Sequence, residues 1–389
     1  MIFPKKGKND MENLPKRTWA EIDLDALADN YRTICAAACG TPVMAMVKGD
    51  AYGHGSVRVA QVLSRIGVSY FGVATPEEAL ELRENGIRDP ILIMGYTPPA
   101  YIGLLVKYDI TQTVLDYESA KSYSDAAMVY SKRLKVHVKL DTGMGREGIV
   151  CRDRTAEACE EIMQICMLDG LYAEGIFTHL CDATSSETWY TERQIALFGE
   201  VIENLEKKNI RFEIKHCANS AAVLKYPCAQ FDMVRTGILL YGLTPDASIT
   251  LPNGYRPVMS LRCSVSQVKT VAAGSDIGYG RTYTTVRPSR IAILPIGYAD
   301  GLPRLCSNRL LVSLHGKKVP VIGNVCMDLT MIDATDLPQA KRGDIVTVFG
   351  RDHNTVCTAE DVAAVCGTIN YEIVTCIGKR IPRVYVGEA

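Results

Sequence analysis

Val43-Met44-Ala45-Met46-Val47-Lys48-Gly49-Asp50-Ala51-Tyr52-Gly53-His54-Gly55 decides how the chain folds. Five apolar residues in a row are too few for a helix and read as a strand buried on both faces. The run stops at Lys48, a loop with three glycines and one tyrosine follows, and an apolar helical pattern runs from Ser56 to about Ile66. Strand, loop and helix in that order form a βα unit, and α/β proteins keep their chemistry at the carboxyl ends of such strands. An ammonium held there loses water, which lowers its pKa and frees the amine to attack a carbonyl. Position alone equally allows a lysine that snorkels out of the strand end.

Outward from this unit the pattern repeats. Residues 43–48, 70–75, 91–95, 111–115, 135–140, 172–180, 212–217 and 232–236 read as eight buried strands, with helical segments such as 76–85 and 191–207 between them. Eight βα units point to an α/β fold, a (β/α)8 TIM-type barrel rather than an open doubly wound sheet. Before them, 18–24 alternates as a half-buried strand, and Asp25 can cap a helix through Leu27, Tyr31 and Ile34. Past 252–257 the pattern changes to short β-branched runs at 264–271, 291–295, 310–314 and 345–349, separated by turns such as His315-Gly316 and Gly323-Asn324. Only Ala359–Cys366 looks helical there. The expected organisation is a polar extension at 1–17, a barrel domain at 18–255 and a mainly β domain at 256–389.

Composition narrows the function. A net charge of −1 without long runs of like charge argues against nucleic acid or an anionic membrane as partner. No apolar stretch reaches the roughly 18 residues of a membrane span. Residues 1–17 are polar and lack the apolar core of a secretory signal, so the expected setting is cytoplasmic. The 14 cysteines show no CxxC spacing and read as small buried hydrophobes, not as disulfides or metal ligands.

In a barrel the strand ends carry the chemistry. The first ends at Lys48 and Tyr52, the fifth runs through Lys139 into Asp141-Thr142-Gly143-Met144-Gly145-Arg146, and the sixth ends at Thr178-His179. The seventh ends at Asn219-Ser220 and the eighth at Arg235-Thr236-Gly237-Ile238. Phosphate in barrels binds at the loops after strands seven and eight, a role that Ser220, Gly237 and Ile238 fit. A lysine aimed at a carbonyl and a phosphate site on the same face suggest pyridoxal phosphate held as a Schiff base. Each residue also has a plainer reading. Ser220 can cap the helix that begins at Ala221, His179 can be a satisfied interior histidine, and Arg146 can be a solvated loop residue. Lys139, inside a strand, demands a partner.

These residues also carry a resemblance. Val47–Gly55, written 47–55 as VKGDAYGHG, resembles the cofactor-lysine signature of the alanine racemase family, usually VKANAYGHG. Lys139 to Arg146 is similar to the family's KxDTGMGR, and Met233-Val234-Arg235-Thr236-Gly237, Gly278-Tyr279-Gly280-Arg281-Thr282 and Val325-Cys326-Met327-Asp328 resemble three further motifs in the family's order. The departures are Gly49-Asp50 for Ala-Asn, and His179-Leu180-Cys181-Asp182 where members often read HFASAD. The resemblance implies a barrel followed by a β domain, a head-to-tail homodimer with shared sites, and pyridoxal 5'-phosphate as cofactor. It implies interconversion of L- and D-alanine, the latter supplying cell-wall peptidoglycan. Lys48 would bind the cofactor covalently and act as one base, with Tyr279 as the other. Tyr52, Ser220, Gly237, Ile238 and Tyr371 would hold the phosphate, His179 would pack near the cofactor, and Arg235 would face the pyridine nitrogen. Arg146 and the backbone of Met327 would take the substrate carboxylate, and Lys139 matches a position carbamylated in many members.

The residue types suit racemisation. Inverting a centre needs a base on each face, and a tyrosine with its pKa of about 10 lowered by cations can be one. An arginine at the pyridine nitrogen does not readily donate a proton, because its pKa exceeds roughly 12. That argues against a decarboxylase of related fold. A serine racemase of the same family and a non-enzymatic carrier of the cofactor are the other readings; the bulk of Tyr371 leans against serine, and the domain bearing Tyr279 against a carrier.

Overall fold

The structure, a computed structural model, describes residues 16–389, so residues 1–15 of the expected extension lie outside it. The described chain forms two compact units. One holds Leu24–Val258 and Gly387–Ala389; the other holds Met259–Val386 together with β1 (Thr18–Asp23).

The first unit is a ring of eight parallel strands: β2 (Val43–Met46), β3 (Tyr70–Val73), β4 (Ile91–Ile93), β5 (Thr111–Val114), β6 (Leu134–Asp141), β8 (Leu171–Phe177), β9 (Ile214–His216) and β10 (Val234–Thr236). A short β7 (Ile149–Val150) lies beside β6. Val43 pairs with Val234 on one side of β2 and Met44 with Tyr70 on the other. The ring closes through a parallel bridge between His216 and Met233. All eight expected strands are present, most of them shorter than expected, while β6 runs one residue further at each end.

Strands β2, β3, β4 and β5 are buried at every position; β2, β3 and β4 therefore read as continuous apolar runs without alternation, whereas β5 buries Thr111, Gln112 and Thr113. Met44, Met46, Tyr70, Leu92 and Met233 form a core cluster, each large side chain contributing about 1.5–3 kcal/mol by leaving water. Gly72 makes room for it, since a Cβ there would strike the sulfur of Met46. The helices start on local signals. Thr75 caps Pro76–Glu84 through the Glu78 N–H with proline at the first position, and Asp116 with Ser119 forms a capping box for Tyr117–Met128.

Three expectations need correction. The barrel domain does not begin at residue 18, because β1 pairs antiparallel with β11 (Met259–Ser264) and parallel with β19 (Arg383–Val386). Its alternation of buried and half-buried positions suits a sheet with one covered face, unlike the barrel strands. Asp25 does not cap the helix Leu24–Ala37; it lies in the first turn, and its carboxylate accepts the N–H groups of Glu388 and Ala389. The run 264–271 is two strands. The chain crosses between sheets at Val265 and Ser266, whose N–H groups go to Asp344 and Ile293.

The remaining strands of the second unit are β12 (Gln267–Val271), β13 (Ser289–Leu294), β14 (Leu311–Leu314), β15 (Lys317–Pro320), β16 (Thr330–Asp333), β17 (Ile345–Asp352) and β18 (Thr355–Cys357). One sheet runs β15-β14-β17-β11-β1-β19 with β18 on β17; the other runs β12-β13-β16. His315-Gly316 joins β14 to β15 with both residues at positive φ, the two-residue turn that matches strand twist. Besides Ala359–Cys366 there is a helix at Asn370–Thr375. Among the described residues, no helix is long and apolar enough to cross a membrane.

Candidate active site

Lys48 follows Val47 directly off the end of β2, half-buried. The next five residues do what few chains do: Gly49, Asp50, Ala51, Tyr52 and Gly53 all have φ between 53° and 82°, one turn of left-handed helix. Each non-glycine residue there costs about 1–2 kcal/mol. The surroundings hold it. The Glu78 carboxylate accepts from the Gly49 and Ala74 N–H groups, Asp50 accepts from Ser56 at the head of the helix Ser56–Arg65, and Ala51 N–H reaches Val47 O at 2.8 Å. Tyr241 anchors the strand end, its hydroxyl donating to Met46 O at 2.9 Å while its ring stacks on His54 at 4.3 Å. Burial pulls the Lys48 ammonium below its usual range, Arg146, Lys139 and Arg235 push the same way, and Glu78 opposes them.

Lys139 and His137 share one face of β6, as period-two spacing requires, and both are buried. The partner that Lys139 demands is Glu147, 2.7 Å away, and burial still lowers its basicity. Arg146 is exposed on the loop that follows. That loop is built on Asp141, whose carboxylate accepts from the N–H groups of Gly143, Met144 and Gly145. This is the physical content of the Asp-Thr-Gly-Met-Gly-Arg run.

Arg235, 3% exposed on β10, donates to His216 Nδ1 at 2.9 Å and to the carbonyls of Thr178 and Cys217, and approaches His179 Nδ1 at 3.3 Å. Its guanidinium lies over the Phe177 ring at 5.3 Å. Burial lowers its pKa to about 10, below the value expected for an arginine, yet it stays a cation at neutral pH. Desolvation and the cations Arg235, Arg146, Lys48 and Lys139 hold the His179 ring well below the usual imidazole range, so it is neutral.

Ser220 does not cap its helix. Asn219 does, accepting from Ala222, which leaves the Ser220 hydroxyl to accept from Gly237 N–H at 3.1 Å. Gly237 is glycine because a Cβ there would strike the Tyr52 hydroxyl. Ile238, buried, opens a short 3-10 turn, Ile238–Tyr241. Tyr52, Ser220, Gly237 and Ile238 thus converge on one cradle of hydroxyls and backbone N–H groups. The barrel unit gathers nine of the expected residues: Lys48, Tyr52, Lys139, Arg146, His179, Ser220, Arg235, Gly237 and Ile238.

The other three belong to the second unit. Tyr279, 71% exposed and flanked by Gly278 and Gly280 at positive φ, opens a 3-10 turn, and its carbonyl accepts from the Asn324 side chain. Met327, 54% exposed, follows on the loop after Asn324, and its carbonyl accepts from Ala299. Tyr371 is half-buried in the first turn of Asn370–Thr375. Sequence reasoning missed Glu78, Glu174, His137, His216, Phe177 and Tyr241. His137 was visible as a polar residue two before Lys139 on the same strand face; the others sit in runs where nothing local marks them.

Two family profiles match the chain: "Alanine racemase, N-terminal domain" over residues 22–245 and "Alanine racemase, C-terminal domain" over 258–385. Alanine racemase 1 of Caldanaerobacter subterraneus subsp. tengcongensis is 44% identical over 369 residues, 95% of this chain and 94% of that protein. The alanine racemase structure from D-cycloserine-producing Streptomyces lavendulae superposes with a TM-score of 0.92 at 37% identity, covering 97% of this chain and 99% of that one. The Bacillus anthracis alanine racemase with bound L-Ala-P gives 0.90 at 36%, with 96% of each chain covered. With both halves matched in order and identity this high over nearly its full length, the chain belongs to the alanine racemase family.

Proposed function

We propose that this chain interconverts L- and D-alanine with pyridoxal 5'-phosphate as cofactor, Lys48 serving one face of the α-carbon and Tyr279 the other. The observation that carries the reading is the desolvated Lys48 amine at the end of a buried strand, ringed by Arg146, Lys139 and Arg235. The residues fit the cofactor. Lys48 offers an amine of reduced basicity, and Ser220, Gly237, Ile238 and Tyr52 offer the hydroxyl and backbone donors that a phosphate needs, in a cradle that a Cβ on Gly237 would fill. Arg235 offers a buried cation.

When bound, the cofactor supplies a conjugated ring that takes up the electron pair left by the departing α-proton. The protein's residues do the rest. Lys48 Nζ, held toward its neutral form, takes or returns the proton on one face, and the Tyr279 hydroxyl oxygen does so on the other. Arg235 donates hydrogen bonds and keeps its protons, which leaves the ring a weaker electron sink and favours quick reprotonation at carbon. Arg146 and the Met327 backbone hold the substrate carboxylate. Lys139 has a lowered basicity that favours carbamylation, and the Glu147 carboxylate beside it opposes an added negative charge. We place the chain as a homodimer in the cytoplasm, on the family likeness and the cysteine pattern, supplying D-alanine for peptidoglycan.

The test is an assay of the purified chain with added cofactor on L-alanine and L-serine, scored by chiral chromatography. D-alanine should form, with serine slower by about tenfold or more, because its hydroxyl needs room and a partner. No D-alanine, or faster turnover of serine, overturns the reading.

A further inference from the structure

Inside the barrel a file of polar side chains, buried except for the half-buried Glu174, leads from Arg235 to the amino-terminal ends of the strands. Arg235 Nη1 meets His216 Nδ1 at 2.9 Å, His216 Nε2 meets His137 Nδ1 at 2.8 Å, and His137 Nε2 meets Glu174 Oε2 at 3.1 Å. The Tyr70 hydroxyl donates to the same carboxylate oxygen at 2.9 Å and pairs with Thr111 at 2.8 Å. Chemistry leaves one arrangement of protons. A guanidinium only donates, so His216 Nδ1 accepts and the neutral ring carries its hydrogen on Nε2. That N–H donates to His137 Nδ1, which puts the His137 hydrogen on Nε2, facing a carboxylate that only accepts. Every link points the same way, from cation to anion.

The barrel is shaped around this file. A Cβ on Gly175 would come within 2.6 Å of the His137 ring, and the pairing of β6 with β8 shifts register between Val136 and His137. Phe177 stacks on His216 at 4.8 Å and 9°. Burial holds both imidazoles below their usual range, His216 well below, so each ring carries a single proton. Burial pushes the Glu174 carboxyl up, but the hydrogen bonds from His137 and Tyr70 outweigh it and keep it ionised. A barrel needing only stability would fill this space with aliphatic side chains, because buried charges and rings cost desolvation.

We propose that Glu174 is a positioning residue for Arg235: its carboxylate accepts the His137 Nε2–H that the guanidinium orients through His216, closes the file, and supplies the negative charge that balances the guanidinium across the barrel. It thereby sets how Arg235 meets the cofactor ring. That last step rests on the cofactor reading above; the tautomers and the charge are properties of the protein alone.

The experiment uses 15N-histidine NMR on the full chain, with and without cofactor, beside kinetics and the visible cofactor band. In the wild type, His137 and His216 should both show neutral Nε2–H rings at pH 7. Glu174→Gln keeps an acceptor for His137 and removes only the charge. It should retain the fold, lower kcat by about tenfold with KM changed less than about twofold, and shift the pH midpoint of the cofactor band by about one unit. Glu174→Leu removes the acceptor as well and should leave His137 in the Nε2–H tautomer, because His216 still donates to its Nδ1, while the His137 Nε2–H proton resonance moves upfield as it loses its partner. An Nδ1–H or doubly protonated His137 in the wild type overturns the proposal. So does a folded Glu174→Gln with kcat and band unchanged. Should neither variant fold, the wild-type spectrum still decides, and because it is taken without cofactor it stands even where the racemase reading fails.

Discussion

At the scale of single residues, the question is which lysine holds the cofactor, for two of them are desolvated. Lys139 is the more buried, but Glu147 stands 2.7 Å from its Nζ and favours the ammonium. Among the described residues Lys48 makes no ion pair of that kind; Glu78, the carboxylate that opposes its loss of basicity, spends its oxygens on the N–H groups of Gly49 and Ala74. Lys48 therefore lacks the close carboxylate that holds Lys139 as an ammonium, and we expect it to be the nucleophile. Borohydride reduction of the loaded wild type followed by peptide mapping should put the phosphopyridoxyl label on Lys48, and Lys48→Ala should purify without covalently held cofactor and without racemase activity. A label on Lys139 would reverse the assignment.

At the scale of elements, the left-handed turn after β2 is what turns Lys48 and Tyr52 to the same end of the barrel. Glycine accounts for its two ends, but Asp50, Ala51 and Tyr52 adopt the same conformation with a Cβ. Ala51 has no exposed surface and makes the turn's first hydrogen bond, to Val47. Glycine at 51 relieves strain while loosening the unfolded chain, so Ala51→Gly should stay within about 1 kcal/mol of wild type. A β-branched side chain in this conformation is a true outlier, and in a packed site Ala51→Val should lose about 2 kcal/mol or more. Urea unfolding midpoints at constant m-value measure both. Equal damage from the two substitutions would mean that the turn is not left-handed at residue 51.

At the scale of the whole molecule, the barrel was legible because β2, β3 and β4 are buried on both faces and written as uninterrupted apolar runs, and the other strands recur at the same spacing between helix signals. The β1 strand was misplaced because alternation reveals a half-covered sheet but not which sheet, and its partners lie some 240 and 360 positions away in register with Arg262 and Arg383. The site showed the same divide. Lys48, Arg146 and Ser220 stand beside glycines or caps that mark a strand end, whereas Glu174 and His216 earn their place only through contacts across the ring. Tyr279 raises the last question of this kind, since it sits in the second unit with 71% of its surface exposed on the single chain. We expect it to complete the site of another subunit, as the family's head-to-tail dimer implies. Lys48→Ala and Tyr279→Phe should each be nearly inactive alone. Unfolded together and refolded, they form half mixed dimers, in each of which one site collects both changes and the other neither, so activity should return to about a quarter of wild type. Were both bases supplied by one chain, every site in the mixture would lack one of them. Activity no higher than the two variants' own residue, with heterodimers demonstrated by differential tagging, would place Lys48 and Tyr279 on the same subunit.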